Sequence, residues 1–562
     1  MRKAYILVYT LIIVAAVSIL SVSLLTNVAA YVRTGAVEVS KNQAHIVSQS
    51  VLQLSFAYLK PYMSGIRGIT LPWTNQNIAT KATWWHSFKD FLFSQSDGDF
   101  WRNLFQRVNE SKYFDFSTIN EFNQDLSTFT LSGSSVVLAL SASYQVYGNP
   151  YSALLVSRGI NGKLEAYSVA IVSIDFLNKY AYFTEKETRP GGDIIYFITR
   201  DVIDGPMRSN DYINISGSPR FRSTVEVRGV RGTGNPVYED PFSPKVLSQQ
   251  DIDDYNMTKI ATNYSADLNA LVKNPQDFVN SSEESGINLN LSSIRRGNNT
   301  LTPQKLIVEF KSAEGQGNDH FMKVYVEYKE GWQTKTDSLF TIKPRPNQEG
   351  YQMVIHGQNA REWLGLQDSG NDETRNVNFN GVLKSNLTIA LQNKSNNDKP
   401  MYVDGRYTFY SEQNVELYDH VIYEDFRSFF PHQSIDSIVV TDQMAQQLKD
   451  VTRTDFLNIV ARDSVIVKEK EQNLKLTMSI YAFNDSFKVE NYNSGSPKGQ
   501  LTIFGSLMQY YRGPVGTFSG ESIQTGYYKN YIYDSKILEG FGSIGTPVKK
   551  EEVLILTLRS VY

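Results

Sequence analysis

Hydrophobic and polar residues follow three different rhythms along this chain, and each rhythm predicts a different kind of element. From Ala4 through Val32 no charged side chain occurs, and Tyr5 to Leu25 is dense in Ile, Leu and Val. A helix rises about 1.5 Å per residue, so twenty-odd residues cross a hydrocarbon core of roughly 30 Å. A cleaved secretory signal has a shorter apolar region, about 7–15 residues, before its small-residue cleavage site. Val28-Ala29-Ala30 imitates such a site, but too much apolar sequence precedes it. The stretch therefore predicts a retained membrane span. Arg2, Lys3 and the terminal amine set the N-terminus in the cytoplasm and the bulk of the chain outside. Apolar residues then recur at Val37, Ala44, Val47, Val51, Leu54 and Tyr58, a one-sided helical stripe that Pro61 ends. Residues 1–60 read as a membrane-spanning and amphipathic helix.

The second rhythm mixes short helices with strands. Trp84, Trp85, Phe88, Phe91 and Leu92, then Phe100, Trp101, Leu104 and Phe105, follow helical spacing around a Ser96-Asp97-Gly98-Asp99 turn. Strand-like runs follow at 135–147, 153–157 and 164–174, so 61–190 reads as a small α+β domain. Residues 191–300 read as a strand-rich segment followed by a polar spacer, from Gln249 to Asn299, rich in Asp, Asn and Ser. Leu306–Phe310, Phe321–Tyr328 and Ser338–Ile342 then alternate as strands, with Glu314 to Asp319 as a hairpin turn, predicting a β insert over 301–370.

The third rhythm is a repeat. Ser464, Ser486 and Ser506 occupy similar contexts 22 and 20 residues apart, and Gly381 and Gly405 lie 24 apart. Short strands with polar corners at such intervals predict a right-handed parallel β-helix over 371–562, whose coils share one core. A β-sandwich is the structural alternative. The fold class is α+β, mainly β.

Composition narrows the function. A chain of 562 residues holds about two to four folded units. Hydrophobic residues at 41% and charged residues at 20% give a globular balance, and 34 Tyr with 30 Phe favour strands. A formal charge of −3 supplies no field for nucleic acid. The absence of cysteine removes disulfides, thiolate nucleophiles and Cys-ligated zinc.

Local motifs for chemistry are sparse. His45, His86, His320, His356, His420 and His432 form no i, i+4 pair, and no nucleophile elbow, Walker loop or dinucleotide fingerprint occurs. Asp368, Asp372 and Glu373 cluster oxygen ligands for calcium without EF-hand spacing, so a solvated turn is the stronger reading. Asp463 and Asp485 fall at related places in successive coils, about 4.8 Å apart along the axis. Such carboxylates can divide acid and base roles in glycoside chemistry, but Asp also suits a coil corner. Gly205-Pro206 and Arg512-Gly513-Pro514-Val515-Gly516 set tight turns, and Arg208 and Arg512 are placed to bond carbonyls those turns leave open. No cofactor is expected.

Two resemblances add to this. Lys3-Ala4-Tyr5-Ile6-Leu7-Val8 resembles the leader boundary of type IV prepilins and pseudopilins, which implies processing between Ala4 and Tyr5. Ala4 stands where Gly is usual, and Tyr9 where most pilins have Glu, a departure shared with GspK-like and some PilX-like minor components. A second set of segments runs Asp204-Gly205-Pro206-Met207-Arg208-Ser209-Asn210-Asp211, Gly217-Ser218-Pro219-Arg220-Phe221, Arg512 to Gly516, and Thr525-Gly526 to Tyr533-Asp534. These resemble signatures of an uncharacterised family of large bacterial envelope proteins with PilX-like N-termini. Arg208 departs from the usual His there, and Ser535-Lys536 from Pro-Arg. The resemblance implies a non-enzymatic inner-membrane or envelope protein, single-pass, a type IV pilus-like minor component displaying a β-rich domain to pilin-like partners or assembly machinery. A membrane-anchored polysaccharide lyase or hydrolase, and a passive surface-layer or adhesive protein, are the alternatives.

Overall fold

The computed structural model describes residues 18, 23, 26, 27, 34–56, 114–115, 120–140, 152–176, 179–239, 244–311, 321–344, 350–366, 370–394, 400–468, 471–520, 522–537 and 545–561. Nearly all of the predicted span over 4–32, the processing pair Ala4 and Tyr5, and the aromatic helices around Trp84 and Trp101 lie outside those residues. Among the described residues, no helix is long and apolar enough to cross a membrane. The described architecture is mainly β, as its sequence pattern predicts.

The helix over 34–56 packs on an antiparallel sheet of Gly133–Leu140, Ser152–Asn161, Leu164–Phe176 and Val548–Val561, with Phe114–Asp115 at its edge. Its buried face is Ala44, Ser48, Val51, Leu52 and Ser55, at helical spacing, and the small Ala44 and Ser48 bring backbone close to backbone. Ser48 and Ser168 share a hydroxyl hydrogen bond of 2.8 Å across the contact. Gly159 is required there: a Cβ would stand 2.1 Å from the Ser48 nitrogen and 2.5 Å from the Ala44 oxygen. Of the predicted stripe, Ala44 and Val51 are buried and Val47 and Leu54 half-buried, whereas Val37 is exposed and Tyr58 lies outside the described residues. The last strand of the chain thus completes a sheet begun more than 370 residues earlier, so the segments predicted as 61–190 and 371–562 share it.

The body is built on parallel pairing. Phe379–Ser385, Arg406–Ser411, Phe456–Ala461, Lys475–Ala482 and Pro497–Tyr511 hydrogen-bond in succession as one parallel ladder. Thr388–Leu391, Val415–Leu417, Val465–Val467 and Phe487–Val489 form a second. The chain alternates between the two, so each pass presents one apolar side to a shared core lined by Leu383, Phe409, Ile459, Ile480, Val415, Val465 and Phe487. In the second ladder Ile389 faces Val415, Val415 faces Val465, and Val465 faces Phe487, at intervals of 26, 50 and 22 residues. The long interval contains an excursion with the short helices Glu424–Phe426, His432–Ser437 and Asp442–Asp450.

This register corrects part of the predicted repeat. Ser464 and Ser486 are neighbours, but Ser506 lies opposite Ser479, with their hydroxyls 3.0 Å apart. Gly381 meets the Arg406 carbonyl rather than Gly405. Corner loops differ in length from pass to pass, so a residue shared between corners does not fix which strands pair.

Two further corrections follow. Gln249 to Asn299 is no spacer: it forms the helices Gln249–Asp254, Met257–Asn269 and Pro275–Asn280 and the strand Ser285–Leu289, which joins the first ladder. Met257, Ile260, Tyr264 and Leu268 recur at three and four, and they bury against Phe183, Tyr410, Val460 and Tyr481. Moreover, early strands extend the late end of the stack. Tyr182–Lys186 pairs with Pro497–Tyr511, Met207–Ile215 with Tyr182–Lys186, and Val225–Gly232 with Met207–Ile215, all in parallel. The predicted β insert is present as an antiparallel meander of Asn299–Lys311, Phe321–Glu330, Gln333–Pro344, Tyr351–Ile355 and Glu373–Val377. The predicted turn at Glu314 to Asp319 lies outside the described residues.

Candidate functional site

The joint between late and early strands gathers the motif residues that were scattered in sequence. Gly205 packs on Tyr533, where a Cβ would come within 2.2 Å of the tyrosine's own. The Pro206 carbonyl accepts from the Ala181 N–H at 2.7 Å, and the Pro219 carbonyl from Val237 at 2.8 Å. Gly217 holds a left-handed turn with φ 84°. The Asn210 amide donates to Glu185 at 3.0 Å and to the Tyr255 carbonyl at 2.6 Å. Gly513 lies against the Phe487 carbonyl, and Gly516 pairs with Gly526 in an antiparallel hairpin.

Four ion pairs lie at this joint, three of them fully buried. Arg512 donates to Glu187 at 2.7 Å and to the carbonyls of Ile195 and Tyr196 at 3.2 and 3.1 Å, with its guanidinium 3.7 Å from the Phe197 ring centroid. These carbonyls lie outside the Gly205-Pro206 and Arg512–Gly516 turns whose open carbonyls the arginines were expected to bond. Arg208 likewise donates to the Asp251 carbonyl and pairs with Glu226 at 3.1 Å. Arg453 grips Asp534 with both terminal nitrogens, one at 2.6 Å. Lys529 pairs with Asp201 at 2.7 Å. Burial works against the Arg453 charge, but Asp534 outweighs it and holds the guanidinium charged. Burial and the neighbouring Glu187 push the Tyr182 phenol far up, so it serves Glu187 as a neutral donor at 3.1 Å. Sequence reasoning missed Glu187, Asp201, Arg453 and Lys529, since each meets its partner across 81 or more residues.

The predicted acids occupy corners. The Asp485 carboxylate accepts from Ser464 at 2.6 Å, Lys488 at 2.6 Å and Ser486 at 3.1 Å. Burial pushes this carboxyl up, yet Lys488 and the serines outweigh it and hold it below the usual range. Asp463 accepts from the Asn484 amide at 3.2 Å, and its carbonyl accepts the Asp485 N–H at 3.2 Å. The two are neighbours, but their carboxylates serve turn hydrogen bonds.

The acidic loop resolves similarly. Glu373 pairs with Arg375 at 2.7 Å and Arg361 at 2.9 Å, which hold it below the usual range. Asp372 faces His356 at 3.2 Å, and Asp368 lies outside the described residues. Glu373 is thus engaged with two arginines, and Asp372 with a histidine.

His420, Asp436 and Glu471 place ligand-type atoms within 4.8 Å of one another. His420 Nδ1 accepts the Lys475 N–H at 3.1 Å, so the ring proton sits on Nε2 and is donated to Asp436 at 3.0 Å. A metal ligand needs that nitrogen's lone pair and a proton on the other nitrogen, the reverse of this tautomer. Burial lowers the His420 pKa further, against Asp436. The buried Lys475 amine, which donates to the Ile435 carbonyl, is brought down to about 7 by desolvation, with Asp436 opposing. The cluster docks the His432–Ser437 excursion onto the ladder.

No protein-family model matches this chain, and no curated protein does. Among solved structures, a similarity reaches the competence-associated pilin ComZ from Thermus thermophilus at 11% identity. It covers 76% of this chain and 84% of that one, with a TM-score of 0.25. A likeness at that level does not establish a shared fold.

Proposed function

We propose that this chain is a non-enzymatic, single-pass envelope protein, a pilin-like minor component or accessory that holds a β-rich body outside the membrane. The observation that carries this reading is the helix over 34–56. It follows the charge-free stretch Ala4 to Val32 directly in sequence and lies along an antiparallel sheet through a face rich in small residues. In this reading the anchoring segment leads straight into an element that is packed into the folded body. The body in this reading is a right-handed parallel β-helix, supported by the two ladders between which the chain alternates. Its partners are the membrane and other pilin-like proteins or their assembly machinery. The commitment of Asp463 and Asp485 to turns supports a structural role over polysaccharide cleavage.

The test is N-terminal sequencing of the membrane fraction from cells with and without a prepilin peptidase. A mature chain beginning at Tyr5, only where the peptidase is present, is the expected result. An unprocessed membrane protein would favour the passive adhesive alternative, and a full-length product in the soluble fraction would overturn the anchor itself.

A further inference from the structure

Of the three buried ion pairs at the joint, two use arginine, whose delocalised guanidinium is a poor nucleophile at any ordinary pH. The third is different. Lys529 belongs to the strand Ser522–Tyr533, which runs parallel to Val202–Asp204 with Asn530 opposite Val202. One step back in that register, Lys529 stands opposite Asp201, and Nζ reaches Oδ2 at 2.7 Å. Asp201 is fully buried and Lys529 is 6% exposed.

We propose that Lys529 and Asp201 become joined, once the chain has folded, by an amide bond between Nζ and Cγ. The reaction needs no co-reactant. A proton passes from the ammonium to Oδ2 along the existing hydrogen bond, leaving a neutral amine and a neutral carboxylic acid. The amine lone pair attacks Cγ, forming the C–N bond. The Cγ–Oδ2 bond then breaks, and Oδ2 leaves as water, carrying its own proton and a second one from Nζ.

The surroundings favour each step. The Lys529 N–H donates to Oδ1 at 2.8 Å, where negative charge gathers as the tetrahedral centre forms, and the Ile198 N–H donates to the leaving Oδ2 at 3.1 Å. These contacts hold the carboxyl still while the amine approaches. The Phe197 ring centroid is 5.8 Å from Nζ. Burial also brings the Lys529 ammonium below the usual lysine range, with Asp201 opposing and Arg512 assisting. Bond formation removes both buried charges at once. It also closes a loop between positions 328 residues apart, so the early strands could not peel from the late ones without covalent rupture.

Peptide mapping by mass spectrometry of the full chain, purified in detergent, tests this directly. The expected product of a tryptic digest is one branched peptide that joins the segments containing Asp201 and Lys529 and is lighter by one water than their sum. Lys529→Arg keeps the cation but cannot form the bond. Its intact mass should therefore exceed the wild type by the Arg–Lys difference plus one water, whatever happens at the N-terminus. Recovery of Asp201 and Lys529 from the wild type in two separate, unmodified peptides would overturn the proposal. That result decides the matter even where the variant fails to accumulate.

Discussion

Replacing Arg512 by Met removes the cation from a pair in which Arg512 is 1% exposed and Glu187 is not exposed at all. Methionine fills most of the aliphatic volume, so packing on Phe197 is largely kept. The main loss is electrostatic, because Glu187 loses its hydrogen-bonded cation and is left with two hydroxyl donors, Tyr182 and Thr184. Removing one member of a buried pair costs about 3–5 kcal/mol. The chain has several folded parts, so a single unfolding free energy is not well defined, and local hydrogen exchange is the suitable assay. Amides of Tyr182–Lys186 and of the paired half of Pro497–Tyr511 should lose roughly two to three and a half decades of protection, at about 1.4 kcal/mol per decade. Glu187→Gln in the same chain removes the unpaired buried charge and should restore most of the protection. A loss not rescued by Glu187→Gln would refute the electrostatic account.

Gly159→Val places a branched side chain where a Cβ already meets helix backbone at 2.1 Å, so the helix over 34–56 should detach; limited proteolysis would show cleavage within it at lower protease concentration than in the wild type. Lys475→Met should flatten a pH dependence. The folded pKa of about 7 lies below the unfolded value, so wild-type protection around Lys475–Ala482 should rise with pH above 7, by up to about 1.4 kcal/mol per unit, and the variant should not show it. Asp485→Asn should cost about 1–2 kcal/mol at pH 7, read as faster exchange at Ser486 and Phe487, because Lys488 and Ser464 lose a charged acceptor. In the wild type that contribution should fade as pH drops through the depressed folded pKa, whereas a change in the variant confined to residues far from this corner would count against the assigned hydrogen bonds.

The amphipathic stripe at Ala44 and Val51, the alternation of the β insert, the turns at Gly205 and Gly217, and the adjacency of Ser464 and Ser486 were legible in sequence, whereas Gly526, read as a turn, lies within the strand Ser522–Tyr533. Each rests on local backbone geometry, where a periodicity of 3.6 or 2 or a positive φ constrains a few neighbouring residues. The helix Met257–Asn269 was missed: its apolar residues Met257, Ile260, Tyr264 and Leu268 have helical spacing, but the polar residues between them made the segment read as a spacer.

Tertiary structure alone decided which strands meet. Nothing near Tyr182 or Met207 in sequence says that these strands continue a stack built mostly from residues after 379, nor that Val548–Val561 returns to the helix-backed sheet. The pairs Arg512–Glu187, Lys529–Asp201 and Arg453–Asp534 were equally hidden. A strand's own residues specify its face and its edges, and any edge of matching register satisfies them. The partner is selected by burial summed over the whole core, a quantity no local window contains.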